Sequence, residues 1–165
     1  MSNVKINKKL LIGEVIKICY KTKEKVFVEE AMLVDNYILE RLVRQIKGTA
    51  GVYERVTEIF VFENKKGKRF VLSKSEVNDY EKIPNSEFKE SNYSRLGVGR
   101  KVKIIGNIYG VRDPYSIKSG TIGIISKVYK KRTNVKMARV IVTDLITKEE
   151  RKVSVPLVNC IALGK

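Results

Sequence analysis

The 165-residue chain contains no histidine, which removes the commonest general base and metal ligand together. Its two cysteines, Cys19 and Cys160, lie far apart and lack metal-ligand spacing, which speaks against a zinc centre. They read as two buried thiols in a reducing compartment. No apolar run approaches the ~18 residues of a membrane span. The longest are broken by Glu14, Lys17, Asp35 and Glu40. Glu14 and Lys17 also interrupt the apolar N-terminal stretch, and no small-residue cleavage site follows, so that stretch is not read as a signal peptide. The expected setting is cytoplasmic, without a membrane partner. Neither a P-loop nor a dinucleotide fingerprint occurs, and no internal repeat is visible.

Positive charge is what the chain has in excess. Its 34 Lys and Arg against 18 Asp and Glu give a formal net charge of +16. The excess is uneven: residues 97–165 carry 15 cations and 4 acids, residues 1–96 carry 19 and 14. Such a balance favours polyanions, above all RNA or DNA. Lysine inflation in an AT-rich genome is the compositional alternative. It would inflate Glu as well, and the C-terminal part has little Glu.

The expected fold class is an α+β N-terminal unit followed by a mostly β small barrel. Residues 1–78 form the first, 79–96 a polar linker with Pro84, and 97–165 the barrel. Residues 11–20 read as a strand, and 26–34 as a returning strand or the start of a helix. From Asp35, a candidate N-cap, Ile38, Leu39, Leu42, Val43 and Ile46 make an apolar stripe that predicts a helix ending at Gly48. A hairpin follows, with strands over 52–62 and 69–72 and a turn at 64–68. Lys65, Lys66, Lys68 and Arg69 crowd its tip, either as a solvated turn that discourages edge pairing or as a basic finger for phosphates.

Five strand candidates close the chain, at 100–106, 121–130, 136–145, 150–155 and 159–163. Pro156 opens a 3₁₀ turn before the last. Five short strands in about 65 residues describe an SH3-like barrel. Val102-Lys103-Ile104-Ile105-Gly106 and Lys118-Ser119-Gly120-Thr121-Ile122-Gly123-Ile124-Ile125 carry a likeness. Here the segment resembles a KOW-type SH3-like domain, the module of NusG-like transcription factors and several ribosomal proteins. The loop Asn107 to Ile117 is longer than the family's. The resemblance implies contact with RNA, DNA or a nucleoprotein through the loops and one barrel face.

A barrel of this kind grips phosphates with Lys and Arg and stacks bases on aromatic rings. The candidate nucleic-acid-binding residues start with Lys101, Lys103 and Lys118, and with Tyr109, Arg112 and Tyr115 in the long loop. They continue with Lys127, Tyr129, Lys130, Lys131, Arg132, Lys136 and Arg139, a stretch of six cations and no acid. The plainer alternatives are a Tyr109 packed over the barrel mouth, an Arg112–Asp113 pair and a solvated hairpin tip. The expected function is non-catalytic nucleic-acid binding, with no cofactor and no metal. Asp35 with Glu63-x-Lys65 is a weak echo of a carboxylate and lysine nuclease site. The alternative function is a protein-docking accessory or inhibitor that rides on a large nucleoprotein machine such as a polymerase, a ribosome or a phage-targeted defence complex.

Overall fold

A computed structural model describes residues 10–21, 25–84, 90–106, 108 and 117–164. Among these described residues, ten strands build two antiparallel five-stranded sheets. The N-terminal sheet has the order β4-β3-β2-β1-β5, with β1 Val15–Lys21, β2 Val26–Arg44, β3 Val52–Asn64, β4 Arg69–Ser73 and β5 Val77–Lys82. The C-terminal sheet has the order β10-β6-β7-β8-β9, with β6 Lys101–Ile104, β7 Thr121–Lys130, β8 Lys136–Thr143, β9 Glu150–Pro156 and β10 Cys160–Ala162. Three 3₁₀ turns, at Lys74–Glu76, Tyr93–Arg95 and Leu157–Asn159, are the helical elements among the described residues.

The α+β expectation for the N-terminal unit is therefore wrong: the molecule is all-β. Residues 35–48, expected as a helix, instead lie mostly in β2. Twelve register pairs join β2 to β3, from Ala31↔Asn64 to Arg44↔Val52. The segment carries Tyr37, Ile38, Val43 and Ile46, residue types that fit a pleated surface, and a long hairpin partner overrides the weak helical preference. The apolar stripe is not a core face, because Leu42, Val43 and Ile46 are exposed. Nor is Asp35 a helix cap; it is buried within β2. The stretch expected as a linker holds the end of β5, which pairs with β1, and the Tyr93–Arg95 turn.

The C-terminal strands fall on the five expected segments, and the 3₁₀ turn precedes the last. Gly123 shows why a glycine sits inside β7. A Cβ there would lie 2.5 Å from Val140 Cγ1 and 2.6 Å from the Ile141 carbonyl oxygen. The β7–β8 backbones approach too closely for any side chain.

Each sheet has its own core. Ile16, Ile18, Leu33, Phe62 and Leu72 centre one, and Val102, Ile104, Ile125, Val140 and Val155 the other. A third cluster, including Val34, Ile59, Val61, Val71 and Ile108, packs the opposite face of the N-terminal sheet against Tyr93 and Val158. The sheets are thus joined by an apolar interface, which Arg69 pins.

Candidate nucleic-acid interface

Alternation sorts the candidate cations into separate places. In β6, Lys101 and Lys103 are exposed while Val102 and Ile104 are buried. Register places Lys101 beside Ile124, Ile141 and Lys152 across the sheet, and Lys103 beside Ile122. A bulge at Ser126 then sets Lys127 opposite Arg139 and Tyr129 opposite Met137. The outer face of the C-terminal sheet therefore gathers Lys101, Lys103, Lys127, Arg139 and Lys152, with exposed Ile122 and Ile124 between them. Lys127 Nζ and Arg139 Cζ lie 5.7 and 5.8 Å from the Tyr129 ring centroid. Glu150, at the far end of β9, is the acid on this face. Lys118 is exposed in the turn entering β7.

Two like-charge pairs are built into this hairpin, Lys127↔Arg139 and Lys130↔Lys136. Like charges directly opposite one another destabilise a sheet. The second pair is relieved within the protein: Lys136 Nζ lies 2.9 Å from Asp35 Oδ2. Both members of the first approach the Tyr129 ring, and among the described residues no ion pair relieves them. Lys130 and Lys136 leave the outer face for the side turned to the N-terminal sheet. Lys130 and Lys131 are exposed.

The hairpin tip is not a free finger. Arg132 Cζ lies 5.4 Å from the Tyr53 ring centroid on β3. The Glu40 amide donates to the Thr133 carbonyl (3.2 Å), and Asn134 Nδ2 donates to the Ile38 carbonyl (2.7 Å). Asn134 takes φ 75°, a conformation Asn tolerates well. The turn thus braces the distal β2–β3 ribbon.

Arg69, expected at a basic tip, is a structural residue. Its side chain is fully buried, with Nε donating to Glu63 Oε2 at 2.9 Å. The guanidinium also donates to the carbonyls of Val158 and Cys160 and to Asn92 Oδ1, and lies over the Tyr93 ring. Asn92 completes the knot. Its amide donates to Glu63 Oε1 (2.8 Å), and its Nδ2 to the Ala162 carbonyl (3.0 Å). An arginine beside the continuous apolar run Phe70-Val71-Leu72 lies in a strand buried on both faces, where a carboxylate partner offsets the cost of burying its charge. Lys65, Lys66 and Lys68 remain exposed in the turn, which Asn64 Oδ1 organises by accepting from the Lys66 and Lys68 amides.

The carboxylates weighed for catalysis are likewise engaged. Glu63 holds Arg69 and Asn92. Asp35 accepts from the Tyr93 hydroxyl (2.5 Å), from Lys136 and from the Asn36 amide (2.9 Å). Burial, then the nearby Asp35 carboxylate, raises the pKa of the Tyr93 hydroxyl far above its ordinary value. Among the described residues, no cluster of three His, Cys, Asp or Glu is placed to hold a metal, and no helix is long and apolar enough to cross a membrane. Tyr109, Arg112 and Tyr115 lie outside the described residues.

Sequence reasoning missed Lys152, Arg95 and Arg100. The two arginines flank a turn in which Gly99 adopts φ +87°, and with Lys101 they line one pocket of about 460 Å³. The R-L-G-V-G-R spacing, two arginines around a glycine turn at a strand entrance, was the available signal. The chain matches no protein-family model, no curated protein and no solved structure.

Proposed function

We propose that the protein binds RNA or DNA without catalysis, laying the outer face of its C-terminal sheet along the phosphate backbone. The observation that carries this reading is the Lys127↔Arg139 pair. Two cations face each other across a sheet, on a surface that also holds Lys101, Lys103 and Lys152. A phosphate relieves that repulsion, since among the described residues no acid pairs with Lys127 or Arg139. The strand order β10-β6-β7-β8-β9, with the 3₁₀ turn before β10, supports the resemblance to a KOW-type SH3-like barrel, and that resemblance favours the same partner. Phosphate contacts position a ligand, so the binding carries little sequence preference.

Fluorescence anisotropy with single- and double-stranded RNA and DNA, at 50 and 200 mM salt, tests the proposal. With about five phosphates neutralised, affinity falls on the order of 10²- to 10³-fold between those salts. Salt-independent binding, or none to any of the four ligands, overturns it.

A second reading rests on the β2–β3 ribbon. Leu42, Val43, Ile46, Val52 and Val56 are all exposed there. An apolar patch on a braced arm suits a protein contact, so the molecule would dock on a nucleoprotein machine. Capture from lysate that survives both nuclease and high salt favours this reading; capture lost to nuclease favours direct nucleic-acid binding.

A further inference from the structure

A cavity of about 280 Å³ lies where the two sheets meet. Ile59, Val61 and Val71 wall it from the N-terminal sheet, Pro156 and Val158 from the other. Protein interiors leave few voids larger than a water molecule, and apolar cavities of this kind take apolar guests. The polar end is formed by Asp35, Tyr37, Tyr93 and Lys136.

The hydrogen bonding already made at that end selects the guest. Both Asp35 oxygens accept, Oδ1 from the Asn36 amide and Oδ2 from Tyr93 and Lys136. Lys136 has three N–H groups, meets Asp35 with one, and keeps 35% of its side chain exposed at the mouth. The Tyr37 hydroxyl makes no hydrogen bond among the described residues. What is left to offer is therefore donors. We infer that the cavity binds a small amphiphile, with an apolar body between the sheets and an anionic head on Lys136 and Tyr37. This inference does not depend on nucleic-acid binding, because Lys136 faces away from the outer basic face.

Isothermal titration of the full chain with octanoate, octanol and octylamine tests it. Octanoate is expected to bind at one site and at least tenfold more tightly than octylamine. Val71→Trp, which fills the cavity, is expected to cost at least tenfold in octanoate affinity. Lys136→Met weakens octanoate about tenfold and leaves octanol unchanged. Methyl chemical-shift mapping on the unsubstituted protein should place octanoate at Val61, Val71 and Val158, and it holds whether or not Val71→Trp folds. Tighter binding of octylamine, shifts confined to other methyls, or no octanoate binding at millimolar concentration overturns the inference.

Discussion

The two sheets treat an arginine in opposite ways. Arg69 opens β4 and is buried against a carboxylate, three backbone or amide acceptors and a tyrosine ring. Arg139 sits in β8 with a lysine opposite it and faces outward. Neither the residue type nor local charge separates the two, since Arg69 follows Lys65, Lys66 and Lys68. The neighbours in the strand do. Arg69 adjoins an unbroken apolar run in a strand covered on both faces, whereas Arg139 alternates with Ala138 and Val140 in a strand covered on one. A cation engaged inside the fold holds the sheets together. One left outside is available to a ligand.

The largest test removes the inner arginine. Arg69→Ala leaves Glu63 charged and buried without its partner, at a cost of about 3–5 kcal/mol. Chemical denaturation measures it. The double substitution Glu63→Leu with Arg69→Met is expected to recover much of that loss, because it removes both charges. If Arg69→Ala unfolds at the same denaturant midpoint as the unsubstituted chain, the contrast between the two arginines collapses.

Reversing the outer cations tests the other half. Lys101→Glu, Lys127→Glu and Arg139→Glu together should lower nucleic-acid affinity by about a hundredfold or more. The salt slope should shrink by roughly 0.7–0.9 per lost phosphate contact. Each exposed change should move stability by only about 0.5 kcal/mol. Lys130→Glu with Lys131→Glu should weaken binding less, because Lys130 lies off the outer face and Lys131 sits in the turn beyond β7. Adding Arg132→Glu loosens the β2–β3 ribbon as well, through Tyr53, and so confuses binding with folding.

The C-terminal sheet was legible because period-2 alternation, glycines and a turn-opening proline all agreed there. Gly123 illustrates this: its place was visible in the sequence, and the close approach of Val140 and Ile141 explains it. The β2 strand was not legible. Its apolar residues fit both a helical stripe and a pleated ribbon, and the deciding partner, β3, lies elsewhere in the chain. The site was half legible. Charge density drew attention to the β7–β8 hairpin, but only register shows that Lys127 and Arg139 share a face, that Lys136 turns inward and that Arg132 rests on Tyr53. Arg69 looked like a tip residue, and Glu63 like part of a carboxylate and lysine pattern, because nothing local announces a carbonyl of Val158 or Cys160.

Gly123→Ala separates stability from binding, because it loads the close-packed scaffold and takes no cation from the outer face. The added methyl forces β7 from β8 and should cost about 1–3 kcal/mol, read as a lower denaturant midpoint. Affinity measured below that midpoint should change little, since no cation is removed.

The smallest effect concerns the thiol beside Arg69. Cys160 is fully buried, and burial pushes its pKa from 9.0 up to about 12, with Arg69 acting in the opposite sense. The folded chain therefore keeps a proton that the unfolded chain releases. This contribution to stability is complete below pH 9 and is lost as pH rises from there through about 12. Tyr37 and Tyr93, also raised by burial, act in the same direction. The melting temperature of the unsubstituted protein should fall across that window, and Cys160→Ala should make the fall shallower. An equal slope in both proteins would mean that Cys160 meets solvent in the folded state. Arg69 would then lack the buried surroundings that set it apart from Arg139.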